Sequence, residues 1–154
     1  MKTLFLTVRI PYPPDSGGSI RTWNLFSFAC GCHAVTLLTF LHSKHELELL
    51  PVMQSLVSVA HIETVVHPFV QSPTARWGSL PAGLISQLPY PVVKYRSKAM
   101  QTRFSELIDR THFDLIHCET VHMMQYVKRP SPIPVVLDQQ NIQSALLDRV
   151  ARSQ

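Results

Sequence analysis

Five short, almost continuous apolar runs constrain the fold of this chain of 154 residues more than any other feature. A strand with one face in water alternates apolar and polar residues, whereas an unbroken apolar run is typical of a strand buried on both faces. Such strands occur in parallel sheets, whose connections cross back over a face of the sheet. We predict strands at Thr3–Ile10, His33–Phe40, Ile62–Val66, Asp114–His117 and Pro134–Asp138.

The most regular helical pattern lies between the third and fourth runs. Ser97 is a suitable N-cap, and the helix that follows is predicted to end near Arg110. Apolar residues recur in this segment at the spacing of one helix face. The predicted core-facing stripe consists of Met100, Phe104, Leu107 and Ile108.

A helix is also predicted after the first run, over Ser19–Cys30, with Gly31 as its C-terminal stop. Its buried side is expected to contain Leu25, Phe28, Ala29 and Cys32. Further helices are predicted at Pro51–Ser58 (with Pro51 in the first turn), Ser79–Leu88, Thr120–Val127 and from about Asn141 onward. Strands that alternate with helices predict a single α/β domain, a three-layer, Rossmann-like, doubly wound parallel sheet.

Composition is that of a globular protein, with 45% hydrophobic residues. No run approaches the roughly 18 to 20 apolar residues that a membrane span needs. Lys2 and the apolar residues after it resemble the beginning of a signal peptide. Because Arg9 ends the apolar run early, we interpret this segment as a strand. Three cysteines, an odd number, argue against a disulfide framework and favour a cytoplasmic location.

The net charge of +4 is modest, but the charges are unevenly distributed. No acidic residue lies between Glu63 and Glu106, where we find Arg76, Lys94, Arg96, Lys98 and Arg103. This bias indicates either an anionic partner, such as a phosphate-bearing substrate or an acidic membrane surface, or a solvated basic face. Trp77 and the leucines after it suggest peripheral membrane contact, with a helix that closes over the sheet as the alternative. No nucleic-acid partner is expected.

A proline-stiffened turn with a glycine pair follows the first apolar run and contains Asp15, Ser16, Gly17 and Gly18. Glycine lets a ligand approach the backbone closely, and a helix that begins there directs free N–H groups and its positive dipole end toward an anion. Arg21 can meet a phosphate or serve a structural role. The glycine spacing is neither a dinucleotide fingerprint nor a P-loop, which disfavours a nucleotide-cofactor oxidoreductase.

Polar residues also follow the fourth and fifth runs, and ligands of open parallel sheets bind at the carboxyl ends of the strands. Glu119, beside the end of a buried strand, can have a raised pKa or hold a sugar hydroxyl, so it is a candidate catalytic residue. Alternatively, it stabilises the start of the helix at Thr120–Val127. Asp138 and Asn141 join Asp15, Ser16 and Arg21 as substrate-binding candidates, although Asn141 also suits an N-cap.

Two sequence patterns resemble metal sites but lack the required ligands. His117 and Glu119 form the His-x-Glu of zinc deaminases, without the Cys-x-x-Cys partner. Cys30, Cys32 and His33 are close in sequence, but both cysteines suit the core side of a helix end. We therefore predict no metal and no cofactor, interpret His117 as a hydrogen-bonded core histidine, and find no relay among the eight histidines.

Ordered motifs extend over nearly the whole chain. They are Pro-Tyr-Pro-Pro-Asp-Ser-Gly-Gly-Ser-Ile-Arg at 11–21, His-Ala-Val-Thr-Leu-Leu-Thr-Phe at 33–40, Pro-Val-Val-Lys-Tyr-Arg-Ser at 91–97, Phe-Asp-Leu-Ile-His-Cys-Glu at 113–119 and Val-Leu-Asp-Gln-Gln-Asn-Ile at 136–142. Together they resemble the amino-terminal domain of family 4 glycosyltransferases, particularly the bacterial sugar transferases of exopolysaccharide biosynthesis. The resemblance implies one half of a GT-B fold and a retaining transfer from a nucleotide sugar to a saccharide or lipid-linked acceptor, without an obligatory metal.

In that family the amino-terminal domain mainly holds the acceptor, and its glycine loop, here Gly17-Gly18, borders the donor's phosphates and the transferred sugar. Glu119 has a position similar to one where relatives often place a histidine near the reacting sugar, and Gln140 occupies a position where many relatives have histidine.

The resemblance also implies a donor-binding domain, which these 154 residues do not contain. Because the last predicted helix stops at Gln154 without a cap, we expect a fragment of a longer enzyme, and half of a cleft should not transfer sugar alone. The alternative is a non-catalytic, Rossmann-like binding module for a phosphorylated ligand or a partner protein.

Overall fold

Five parallel strands form one sheet in the computed structural model, which describes residues 1–71 and 90–139. The strands are β1 Lys2–Thr7, β2 Ala34–Leu41, β3 His61–Val66, β4 Leu115–Cys118 and β5 Val135–Leu137. Their spatial order is β3-β2-β1-β4-β5, so the direction of winding reverses between β1 and β4. All five predicted strands are confirmed within three residues at each end, as is the Rossmann-like, doubly wound α/β fold.

Helices connect these strands. They are α1 Gly17–Cys32, α2 Lys44–Leu56, α3 Pro68–Gln71, α4 Tyr90–Lys94, α5 Lys98–Arg110 and a 3₁₀ turn at Met123–Tyr126. The helices predicted at Ser79–Leu88 and from Asn141 onward lie outside the described residues, as do Arg76 and Trp77.

Each face of the sheet has its own apolar cluster, because successive side chains of a strand point to opposite faces. On one face, α1 and α2 contribute Phe26, Ala29, Cys30 and Met53, which pack with Phe5, Val35 and Leu37. On the other face, α5 and the 3₁₀ turn contribute Met100, Phe104, Leu107, Met123 and Tyr126, which pack with Leu4, Leu6, Leu38, Phe40 and Ile116. The sheet is therefore the middle layer of three.

Helix α5 confirms the sequence prediction in both its cap and its face. The Ser97 hydroxyl accepts a hydrogen bond from the backbone N–H of Met100 at 3.3 Å, which satisfies one of the free donors of the first turn. Met100, Phe104 and Leu107 are buried, and Ile108 packs against the same cluster.

The face predicted for α1 is wrong. Of the four residues expected on its buried side, only Ala29 is buried, whereas Leu25, Phe28 and Cys32 are exposed. The helix also continues through Gly31, so this glycine does not end it. The buried face instead includes the polar residues Ser19 and Thr22, whose hydroxyls bond within the protein. An apolar-only pattern therefore selected the neighbouring face.

The start of α2 and the segment after β4 also differ from the predictions. Helix α2 begins well before Pro51, at Lys44, because Ser43 caps it by accepting the N–H of Glu46 at 3.3 Å. Pro51 lies inside this helix, where it leaves the carbonyl of Leu47 without its usual donor, but both residues are exposed and water can take that place. Only the 3₁₀ turn forms within the helix predicted at Thr120–Val127.

All three cysteines are free thiols; Cys30 and Cys118 are buried, and Cys32 is exposed. In the two described ranges, no helix combines the length and the apolar character that crossing a membrane requires.

Two phenylalanines of α1 provide a matched test of which face of this helix is buried. Phe26 is fully buried and Phe28 is 72% exposed. We expect Phe26→Ala to lower the free energy of unfolding by about 3 to 5 kcal/mol through lost burial and a cavity. Phe28→Ala should change it by less than about 0.5 kcal/mol. Urea unfolding of both variants measures the difference, and equal losses would contradict this orientation of α1.

Candidate functional site

Glu119 joins three elements at the point where the strand order reverses. Its Oε2 accepts a hydrogen bond from the Val8 N–H, just after β1, at 3.0 Å. Its Oε1 accepts from the Thr22 hydroxyl of α1 at 2.7 Å. The backbone N–H of Glu119, just after β4, donates to the Leu6 carbonyl at 3.0 Å. The side chain is therefore held in one orientation, with only 6% of the residue exposed.

Burial raises the pKa of the Glu119 carboxyl, because the charged form is costly away from water. The hydrogen bonds from Thr22 and Val8 act in the opposite direction, as does the charge of Arg9, whereas the negative charge of Asp138 raises the pKa further. The net direction is upward. A fixed carboxyl group with a raised pKa is suited to exchanging a proton or to orienting a hydroxyl group.

The start of α1 lies beside this carboxylate and is capped by its own residues. Ser16 and Ser19 form a capping box, in which each side chain accepts a hydrogen bond from the other residue's backbone N–H, at 3.4 and 2.8 Å. The Ser19 hydroxyl also bonds Asp15 Oδ1 at 3.1 Å. An added Cβ on Gly17 would meet no atom within 4 Å, so the space next to the first turn is open to a ligand.

Arg21 and Asp138, two predicted substrate-binding residues, bind each other. The Arg21 guanidinium donates to Asp138 through Nε, at 3.1 and 3.2 Å, and through Nη2, at 2.8 Å. Asp138 is buried, and its backbone N–H donates to the Cys118 carbonyl at 2.8 Å. The pair ties α1 to the end of β5, and the carboxylate raises the pKa of Arg21.

The predicted residues thus meet at one edge, with one exception. Asn141 lies outside the described residues, as does Gln140. The other candidates are on the loop before α1, on its first turns, or at the ends of β4 and β5: Asp15, Ser16, Gly17, Gly18, Arg21, Glu119 and Asp138. Glu119 was alternatively interpreted as a helix-start carboxylate for 120–127, but its carboxylate bonds to the end of β1 and to α1 instead.

A stack of three histidines and a tyrosine occupies the same edge, beyond the ends of β2, β3 and β4. The rings of His42 and His67 stack at 4.7 Å, and those of Tyr95 and His122 stack at 5.4 Å. These two pairs meet edge to face, with 5.3 Å between the ring centroids of His67 and Tyr95. His42 Nε2 lies 2.7 Å from the Val8 carbonyl, which can only accept, so this nitrogen carries the proton. The backbone of Val8 therefore bonds to Glu119 through its N–H and to His42 through its carbonyl.

Burial also determines the charge of the buried histidines in this stack. Burial is the main cause that lowers the pKa of His67 to about 4; Coulombic interactions with His42 and Lys94 act in the same direction, and a hydrogen bond with the Lys94 backbone opposes them. Burial and Lys94 likewise lower the pKa of His122. His67 is consequently neutral at neutral pH.

The sequence analysis missed this stack, since the histidines are far apart along the chain. A signal was present: His42 directly follows β2, and His67 directly follows β3. Residues that follow the second and third strands lie at the same carboxyl edge as those that follow the first, fourth and fifth. With Tyr95, the three histidine rings form two stacked pairs that meet edge to face.

His117 is half-buried within β4, which extends one residue further than predicted. Its ring stacks on Phe5 at 4.2 Å, and burial lowers its pKa. Among the described residues, no group of three or more His, Cys, Asp or Glu side chains is arranged to hold a metal ion.

Removal of the Glu119 carboxylate should destabilise the fold. Glu119→Ala leaves the Val8 N–H without this acceptor, and we expect a loss of about 2 to 4 kcal/mol in the free energy of unfolding. Glu119→Gln can accept from Val8 and donate to Thr22, so its loss should be less than half as large. Chemical denaturation measures both, with Glu48→Ala as the control because the Glu48 side chain is 76% exposed. Equal losses in the two Glu119 variants would refute the hydrogen-bond explanation.

His67 should make the protein sensitive to acid. Its pKa falls from the ordinary 6.5 to about 4 on folding, so the unfolded chain binds the proton first. The stabilisation present above pH 6.5 is lost as the pH falls toward 4, by up to roughly 3 kcal/mol. Denaturant titrations between pH 4 and 7.5 measure the free energy of unfolding. As the pH is lowered, this free energy should fall less steeply in His67→Gln than in the wild type. His112→Gln, at an exposed position, serves as the control and should retain the wild-type slope.

Comparison of the chain with known proteins leaves the site to be interpreted from its own geometry. No family model matches the sequence, and no curated protein or solved structure matches it. The functional interpretation therefore depends on the carboxyl edge of the sheet, where Glu119, the start of α1 and the Arg21–Asp138 pair meet.

Proposed function

We propose that this chain is the acceptor-side domain of a retaining glycosyltransferase, which moves a sugar from a nucleotide-sugar donor to a saccharide or lipid-linked acceptor. One observation carries the proposal. The open start of α1, led by Gly17-Gly18, lies beside the buried carboxylate of Glu119 where the strand order reverses. Ligands of doubly wound sheets bind at this point. The motifs that resemble family 4 glycosyltransferases supply residues to the same edge.

The start of α1 suits the phosphates of the donor. Its free N–H groups and the positive end of the helix dipole favour an anion, and the open space at Gly17 permits close approach. Arg21 is already paired with Asp138, so the guanidinium contributes little net positive charge here. The charge that develops on a departing nucleotide pyrophosphate requires further cations. This requirement supports a second, donor-binding domain as the partner of this one.

Glu119 is the candidate catalytic residue in this proposal. Its two carboxylate oxygens accept hydrogen bonds from Val8 and Thr22, which fixes the orientation of the group. A carboxylate held in this way can stabilise positive charge that develops on the sugar during transfer. Burial raises the pKa of this carboxyl, which favours proton exchange relative to an exposed glutamate.

The proposed location is cytoplasmic, with peripheral contact to the membrane that carries a lipid-linked acceptor. The three free thiols support a reducing compartment. Exposed basic side chains at Arg96 and Lys98 support attraction to an acidic surface. Arg103 contributes less, because it pairs with Glu106 at 2.9 Å.

A non-catalytic binding module is the second candidate. The observation in its favour is that both carboxylates of the edge, Glu119 and Asp138, are already engaged by protein donors. Such an edge can hold a phosphorylated ligand without any proton transfer. Binding of nucleotide sugars without turnover by the full-length protein would favour this candidate.

Two glycines of α1 provide a matched test of the transferase. An added Cβ meets no atom within 4 Å at either Gly17 or Gly31, so both positions have room for a side chain. Gly17→Val should lower kcat/KM of the full-length protein by about 100-fold, because it displaces the donor at the start of α1. Gly31→Val, at the other end of the helix, should leave kcat/KM within about twofold of the wild type.

The measurement is nucleotide release from a panel of UDP-, GDP- and ADP-sugars with saccharide and lipid-linked acceptors. The 154-residue chain alone should release none above the blank, since it supplies one side of the cleft. Turnover by the chain alone, or equal rates for the two glycine variants, would contradict the proposal.

A further inference from the structure

A polar cavity of about 290 Å³ lies between the loop that follows β1 and the start of α2. We propose that this cavity is a subsite for one neutral sugar ring, and that the ring belongs to the acceptor. The second clause rests on the proposed transferase function, whereas the first does not. Glu119 and Asp138 are not among the residues that line the cavity.

Three charged side chains line the cavity: Arg9, Asp15 and Glu46. Glu46 is buried; its Oε2 accepts the His42 N–H at 2.6 Å, and its Oε1 lies 3.7 Å from Arg9 Nη2. Asp15, on the loop, accepts the Ser19 hydroxyl at Oδ1. Each carboxylate has four acceptor positions, so both can still receive hydrogen bonds from a ligand. The guanidinium of Arg9 adds donors on the same wall.

The balance of charge selects the class of ligand. Two carboxylates against one guanidinium make the cavity negative overall, which disfavours a phosphate or carboxylate ligand. Hydroxyl groups can donate to the carboxylates of Asp15 and Glu46 and also accept from Arg9. His45 also lines the cavity, but its Nδ1 lies 3.2 Å from Glu48 Oε2 and is paired with that carboxylate. A neutral polyol therefore satisfies these groups better than an anion does.

Tyr12 gives the cavity an apolar wall. The half-buried ring is held against Trp23, with 5.2 Å between ring centroids, so its position is supported from behind. A sugar ring has an apolar C–H face that packs on an aromatic side chain, while its hydroxyls bind polar groups. One aromatic wall with a few convergent polar groups is the usual composition of a small-molecule site.

The size of the cavity limits its occupant to one ring. Ligand sites for drug-sized molecules have volumes of about 300 to 1,000 Å³, and this cavity, at about 290 Å³, lies just below that range. A nucleotide sugar would not fit in it. Ser19 lines the cavity and also belongs to the first turn of α1, so a bound ring would lie next to the proposed phosphate position. This arrangement suits an acceptor.

The first test is direct binding to the 154-residue chain, observed by ¹H–¹⁵N NMR. The probes are the methyl α-glycosides of glucose, galactose, mannose and N-acetylglucosamine, together with inorganic phosphate. We expect at least one glycoside to shift the signals of residues 9–15 and 43–49 in a saturable manner, and phosphate to leave those of residues 43–49 unchanged. Absence of any glycoside effect, or a phosphate effect at residues 43–49, would overturn the subsite.

Variants then identify the groups that bind. Asp15→Asn and Arg9→Gln should each raise the Kd of the bound glycoside by about tenfold, since each removes a charge-assisted hydrogen bond. Asp109→Asn, at an exposed carboxylate of α5 that does not line the cavity, is the matched control and should leave the Kd unchanged. Glu46→Gln is a less specific probe, because the carboxylate also holds the His42 N–H. Unchanged affinity in both cavity variants would count against the proposal.

The two proposals fail in different experiments. Glycoside binding needs no turnover, so it tests the subsite even where the full-length protein transfers no sugar. Where transfer does occur, the Asp15→Asn and Arg9→Gln enzymes should show a raised KM for the acceptor. An unchanged KM for the acceptor would show that the acceptor does not bind in this cavity, and it would not contradict the transferase function.

Discussion

The bridge made by the Glu119 carboxylate organises the carboxyl edge of this sheet. It fixes the end of β1 through Val8 and the first turns of α1 through Thr22, while its own backbone continues β4. A buried charge is costly even when it is hydrogen-bonded, and the raised pKa of Glu119 shows that the two bonds do not fully offset that cost. An apolar residue of similar size would avoid that cost but would leave the Val8 N–H without its acceptor. The carboxylate therefore supports the structure of the edge as well as the proposed ligand.

The loop between β1 and α1 separates two environments of opposite electrostatic character. On the Glu119 side, the free N–H groups at the start of α1 favour an anion. On the α2 side, Asp15 and Glu46 outweigh Arg9, and the cavity favours neutral hydroxyl groups. Ser19 contacts both, since it caps α1 and bonds Asp15. One short loop can thus place a phosphate-bearing ligand and a neutral ring side by side, each at a position that favours it over the other. A group-transfer site requires such an arrangement of its two substrates.

Sequence patterns predicted the fold where burial alone decides the structure. Strands buried on both faces must be apolar throughout, and a helix such as α5 with one apolar stripe has one possible orientation. The same reasoning failed on α1, because Ser19 and Thr22 face inward to make hydrogen bonds, and no hydropathy pattern encodes that choice. The site was predicted by position, as the polar ends of parallel strands. Its internal pairing was not, since the contact of Arg21 with Asp138 depends on the packing of α1 across β4 and β5.

That pairing has a consequence for the proposed reaction. A nucleotide sugar carries a pyrophosphate, and its departure concentrates negative charge that must be stabilised by donors already in place. At the described edge, Asp138 holds the Arg21 guanidinium through three close N–O contacts, and the helix dipole supplies only about half a charge. The edge therefore suits binding and orientation more than leaving-group stabilisation. A transferase built on it needs its strongest cations on an opposing surface, and closure of that surface over the start of α1 would bring the donor phosphates to a site that Glu119 has already made rigid.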